Sequence, residues 1–139
     1  MEMKLKQGQM LQLEDHLVDP PVISVLCTQD IQGIASMVRT IADKGKFTSF
    51  YLSFLAYERD YENKGPHILQ GMKNDLLALR SPKKTLVLIS GLPIKIIQSD
   101  FIGLLQLIHQ ENTSMHFVII ENKEEVCNEI KRKLSSQLS

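Results

Sequence analysis

Four segments hold the side chains with which this chain could do chemistry: Cys27-Thr28-Gln29-Asp30-Ile31-Gln32-Gly33, the charged stretch holding Tyr57 and Tyr61, Ser90-Gly91-Leu92-Pro93 running on to Ser99 and Asp100, and Glu121-Asn122. The first joins an apolar run to a helical pattern, the place of a phosphate-binding loop. Such a cradle needs backbone N–H groups turned inward without Cβ obstruction, and a cation for the β/γ charge. This loop offers one late glycine, Gly33, no Lys-Ser or Lys-Thr pair, and Asp30, which repels an anion. After the run Thr85-Leu86-Val87-Leu88-Ile89, a magnesium ion and a positioned water would want a carboxylate, and Ser90 offers a neutral hydroxyl. Asp100 and Glu121 remain as candidate acids, the first expected to serve a helix N-terminus and the second to be solvated.

Cys27, at a strand end facing a helix N-terminus, is where the helix dipole would favour a thiolate. It has no histidine or basic neighbour in sequence, so it reads as a buried structural cysteine. With Cys127 far along the chain it forms a pair of reduced core thiols rather than a disulfide. His16, His67, His109 and His116 are scattered without metal-ligand spacing and are expected on the surface. Neither metal nor cofactor is implied. Lys83-Lys84 and Lys131-Arg132-Lys133 are the compact basic groups, read as solvated helix ends ahead of nucleic-acid contacts. Tyr51, Phe54, Tyr57 and Tyr61 could stack on bases, yet strand alternation sends most of them to the core or an oligomer seam, leaving Tyr57 and Tyr61 nearest solvent.

The elements that must position these groups follow from periodicity. Val22 to Cys27 is a β-branched apolar strand; Ile31, Ile34, Ala35, Val38, Ile41 and Ala42 form a helical stripe, with Thr28 or Asp30 as N-cap and Gly45 just past the end. Residues 47–57 have strand composition, and a helix opened by Pro66 turns Ile68, Met72, Leu76 and Leu79 inward. Residues 85–89 form a continuous apolar strand, 90–99 a loop, and Ser99 or Asp100 caps a helix to His109. Residues 117–120 are the next strand. A last amphipathic helix has Asn122 and Glu125 in a capping-box arrangement and buries Val126, Cys127, Ile130 and Leu134. Strands apolar on both faces, alternating with helices, predict an α/β fold of three αβα layers around a mainly parallel sheet of four or five strands, RecA-like or Rossmann-like.

The 139 residues suit a single domain, with 1–21 as a lead-in that leaves room for a short strand at 10–13. Sixteen basic and sixteen acidic residues cancel, so nucleic acid could be held only through a local basic patch. No apolar run reaches the roughly 20 residues that span a bilayer, and no secretory signal opens the chain, so a cytoplasmic, or nuclear, location without membrane contact is expected.

In pattern, residues 22–134 resemble the core of RecA/KaiC-type P-loop ATPases. Val22 to Cys27 with Asp30 to Lys44 resembles the Walker A strand and helix, Thr85 to Ile89 the Walker B strand, and Phe117-Val118-Ile119-Ile120 the strand after it. The Walker A Lys-Ser/Thr and the Walker B acid have no counterpart, so the resemblance carries over no catalytic residue and implies a scaffold without ATP hydrolysis. Shortened, ATPase-dead members of that family act as subunits. The resemblance therefore implies a non-catalytic scaffold or regulatory subunit working through a protein partner or a second copy of itself, in DNA recombination or repair. The alternative is a small regulatory α/β domain of phosphotransferase IIB type, with Cys27 phosphorylated, or of STAS type, with Ser99 phosphorylated. An enzyme of another kind ranks last, since no acid, base and nucleophile converge in sequence.

Overall fold

A computed structural model describes residues 13, 15–17, 20–54, 67–79, 84–98 and 100–138. The strands are β1 (Ile23–Cys27), β2 (Thr48–Ser53), β3 (Thr85–Ser90) and β4 (Met115–Glu121). The helices are α1 (Ile31–Lys44), α2 (His67–Ala78), α3 (Ile94–Gln98), α4 (Phe101–Glu111) and α5 (Glu124–Leu138). The strands form a four-stranded sheet in the order β1-β4-β3-β2, and every pairing is parallel. The expected α/β fold with helices on both faces of a parallel sheet is therefore present.

Handedness accounts for the layering. The β1 to β2 connection crosses the sheet from edge to edge, whereas β2 to β3 to β4 returns one strand at a time in the opposite sense. Right-handed crossovers that run in opposite lateral directions must lie on opposite faces. Accordingly α1 packs with Leu17 on one face, against Leu86, Leu88, Val118 and Ile120. The other face buries Val87, Ile89, Phe117 and Ile119 under Met72 and Leu76 of α2, Ile96 and Ile97 of α3, Phe101 and Leu105 of α4, and Val126 and Ile130 of α5. Alternate residues of β3 feed the two cores, so all six are buried, as the unbroken apolar run requires.

Some boundaries differ from expectation. Of the strand expected at 10–13, residues 10–12 lie outside the described residues; Leu13 is helical, as are residues 15–17. Within the expected 90–99 loop sits α3, begun by Pro93, whose carbonyl accepts from Ile96 N–H at 3.0 Å. Helix α1 ends in a Schellman motif: Phe47 N–H donates to Ala42 O at 2.8 Å and Lys46 N–H to Asp43 O at 3.2 Å. That geometry gives the left-handed position to Lys46 (φ 61°), whereas Gly45, one residue early, has φ −82°. Helix α5 starts at Glu124, with Cys127 N–H bonded to Lys123 O at 3.0 Å, so Lys123 and not Asn122 holds the cap position.

Candidate functional site

Because the strands are parallel, Cys27, Ser53, Ser90 and Glu121 end them at one edge, where open α/β sheets place their ligands. At that edge β1 leaves toward α1 on one face, and its neighbour β4 leaves toward α5 on the other. The topological switch point is therefore the gap between Cys27 and Glu121, which are register partners.

That gap is tied shut. Thr28 N–H donates to Glu121 O at 2.8 Å, and Gln29 Nε2 donates to Asn122 O at 3.3 Å. Cys27 is joined to Cys127 in a disulfide, with Cα atoms 6.2 Å apart, inside the range a bridge accepts. This corrects both cysteine expectations: Cys27 is exposed rather than buried, and the thiols are paired. Burial of Cys127 on the inner stripe of α5, at 2 % exposure, is as expected. The pairing depends on β1 lying beside β4, a neighbourhood that residues separated by 100 positions cannot announce.

On the α1 side the N-terminus is occupied from within. Asp30 is the N-cap, its Oδ1 accepting from Gly33 N–H at 3.0 Å, while Asp30 N–H donates to Thr28 Oγ1 at 3.1 Å. A Cβ at Gly33 would collide with the Asp30 carboxylate, so the glycine makes room for the cap rather than for a phosphate. Asp100 holds the equivalent position before α4, and Gly103 likewise has its open side against the Asp100 carboxylate, but Asp100 makes no capping hydrogen bond with its side chain.

Glu121 is buried, not solvated, at 2 % exposure. Its Oε1 accepts from Leu92 N–H at 2.7 Å. Gly91 has φ 75°, a conformation that lets the chain after β3 turn its N–H groups toward this carboxylate. Loss of water pushes the carboxyl upward from its ordinary value; the bond from Leu92, the charge of Lys123 and the nearby Gly91 amide pull the other way without cancelling it. Ser90, also buried, shares a 2.5 Å hydrogen bond with the Tyr51 hydroxyl. This pair borders a cleft of about 610 Å³ between α1 and the β2 and β3 ends, lined by Ile31, Ala35, Ser36, Arg39 and Ser53. The Arg39 guanidinium lies 5.2 Å from the centre of the Tyr51 ring.

Asn122 is exposed and contributes its carbonyl to Gln29. Lys84 lies 5.8 Å from the centre of the Phe47 ring, Arg132 is paired with Glu129 at 2.5 Å, Lys131 is exposed and Lys133 half-buried. Phe54 is in the core at 1 % exposure. Tyr57, Tyr61, Lys83 and Ser99 lie outside the described residues. Of the histidines, His16 is exposed and bonded to Ser24 Oγ at 3.0 Å; His109 and His116 are half-buried. Among the described residues no group of three His, Cys, Asp or Glu could hold a metal ion, and no helix is long and apolar enough to cross a membrane. Arg39 is not signalled in the sequence, since nothing there brings a mid-helix arginine to a strand end; Tyr51, expected with most of the aromatics in the core or at a seam, is half-buried beside it. Compared with protein-family models and with curated proteins, the chain matches none.

Proposed function

We propose that the chain is a non-catalytic RecA-like scaffold or regulatory domain that works through protein contacts. One observation carries this reading: the N-terminus of α1, where a triphosphate would have to sit, is capped by the chain's own Asp30 carboxylate and tied by Thr28 to the end of β4. A helix N-terminus attracts anions through its free N–H groups and its dipole, and the Asp30 carboxylate already takes the Gly33 N–H and offsets the dipole with its own charge. The Walker-B-like position adds no acid, because Ser90 is buried and bonded to Tyr51. Contact surface is available elsewhere. Leu107 on α4 is 51 % exposed, and β2 stands at the sheet edge with all six residues half-buried.

The test combines two measurements on the full chain. Magnesium ATP is expected to show no binding by calorimetry and no phosphate release above the buffer rate. Light scattering after size-exclusion chromatography, with a pull-down from the native source, is expected to reveal a dimer or a stoichiometric partner. Measured ATP turnover sinks the proposal, as does a monomer that recovers no stoichiometric partner.

A further inference from the structure

We propose that Cys27 and Cys127 are a reversible oxidation site in which Cys27 is the sulfur attacked by a hydroperoxide and Cys127 the sulfur that resolves it. The two sulfurs stand in unequal surroundings. Cys27, the last residue of β1, is exposed, whereas Cys127, in the first turns of α5, is 2 % exposed. Both border a cleft of about 380 Å³ whose other walls include Thr28, Gln29, Asn128 and Lys131. A bridge that served only as a staple would gain nothing from standing in a cleft; one that cycles needs a path for small oxidants and thiols to a single sulfur. Lys131 favours a thiolate in this cleft and Glu124, which also lines it, opposes that, so the order of reaction is set by access rather than by charge.

The reduced partner is also provided for. Cys127 Sγ lies 3.7 Å from the backbone oxygen of Glu121, which accepts its S–H once the bridge is opened. Once the bridge is opened, Cys127 stays within reach of Cys27, their Cα atoms 6.2 Å apart.

The steps balance. The Cys27 thiolate attacks the distal oxygen of the hydroperoxide; the O–O bond breaks, an S–O bond forms, and the alkoxide, or hydroxide from hydrogen peroxide, leaves with a proton. Cys27 is now a sulfenic acid, oxidised by two electrons. The Cys127 sulfur attacks the Cys27 sulfur, the S–S bond forms, the S–O bond breaks, and the thiol proton leaves with hydroxide as water. Two thiols and one hydroperoxide become one disulfide, one alcohol or water, and one water. A small thiol such as glutathione reverses the bridge by exchange at exposed Cys27, two thiols supplying the two electrons. Oxidation fastens the turn before α1 to α5 across the switch-point gap, so the oxidation state governs how firmly that edge is closed.

The experiment uses the full chain, reduced with dithiothreitol and freed of it without air. One equivalent of hydrogen peroxide is expected to remove both thiols and restore the bridge by peptide mapping. In Cys127→Ser the same treatment is expected to leave a sulfenic acid on Cys27, captured by dimedone. Because that variant could fail to fold, wild-type protein is also pulsed with iodoacetamide, with Cys27 expected to label roughly tenfold or more faster than Cys127. The proposal is overturned if the native bridge resists millimolar glutathione, if peroxide leaves the thiols unchanged, if folded Cys127→Ser gives no dimedone adduct on Cys27, or if the two cysteines alkylate at equal rates.

Discussion

Replacing Glu121 separates two roles that one carboxylate fills. It accepts a hydrogen bond from Leu92, and it carries a charge into a place with 2 % exposure. Glu121→Gln keeps an oxygen for Leu92 N–H and removes the charge; Glu121→Ala removes both and leaves the buried Leu92 N–H without a partner. That orphaned donor costs about 1–3 kcal/mol. For a chain of this length Tm falls by about 3–4 °C per kcal/mol, so the alanine variant is expected to melt about 3–10 °C lower. The glutamine variant is expected to match or exceed the wild type at neutral pH.

The pH dependence gives a second reading of the same site. Burial raises the Glu121 carboxyl above its ordinary value of 4.5, so between that value and the raised one the folded chain holds a proton that the unfolded chain has released. Its contribution to stability is therefore complete below the unfolded value and is lost as pH rises through the folded one. Urea denaturation followed by circular dichroism between about pH 4 and 8 should show this decline in the wild type and not in Glu121→Gln. Glutamine proving as damaging as alanine at neutral pH would refute the reasoning, since the charge rather than the acceptor would then hold the Gly91–Leu92 turn. A decline that persists in Glu121→Gln would assign it to another group.

Three further outcomes are expected. Lys46→Gly relieves a left-handed residue at the α1 terminus and should raise unfolding stability by about 1 kcal/mol in urea titrations, with Gly45→Ala giving no such gain. Asp30→Ala should cost about 1 kcal/mol through the lost cap, and Gly33→Ala a similar amount by displacing the carboxylate. Once Asp30 is alanine the collision is gone, so Gly33→Ala becomes neutral or stabilising in that background, a change of sign that a double-mutant cycle reads directly. Leu107→Glu should alter stability by less than about 0.5 kcal/mol while weakening self-association or partner capture in chromatography with light scattering.

What could be read from the sequence was what depends on neighbours along the chain. The stripe from Ile31 to Ala42, the Asp30 cap and the all-apolar run before Ser90 each encode their element within one or two turns of themselves, and each is found as expected. The misread features depend on which strands lie side by side. Glu121 looked solvated because it follows an apolar run and precedes Asn122 and Lys123. It is buried because β4 is inserted between β1 and β3 and the turn at Gly91 folds over its end. The disulfide was missed for the same reason. Helix α3 escaped because five residues are too few for a period to declare itself. The Lys46 conformation was hidden by a glycine in the adjacent position, which suggested a helix end of a different register.

The hydrogen-bond inventory of the carboxyl edge bears on function more than any single residue there. A site that binds and transforms a polar ligand must hold donors and acceptors in reserve, aimed at where the ligand will be, and the folded state bears the cost of leaving them without protein partners. Here the corresponding groups are engaged with one another: Asp30 with Gly33, Thr28 with Asp30 and Glu121, Glu121 with Leu92, Ser90 with Tyr51. Among the described residues no buried side-chain nitrogen or oxygen lacks a hydrogen-bond partner. Among the described residues, this edge is held together by its own contacts. The Cys27–Cys127 bridge is the covalent member of the same set, and it alone can be opened without changing the sequence. If the edge ever exchanges its internal contacts for external ones, reduction of that bridge is the step at which the exchange would begin.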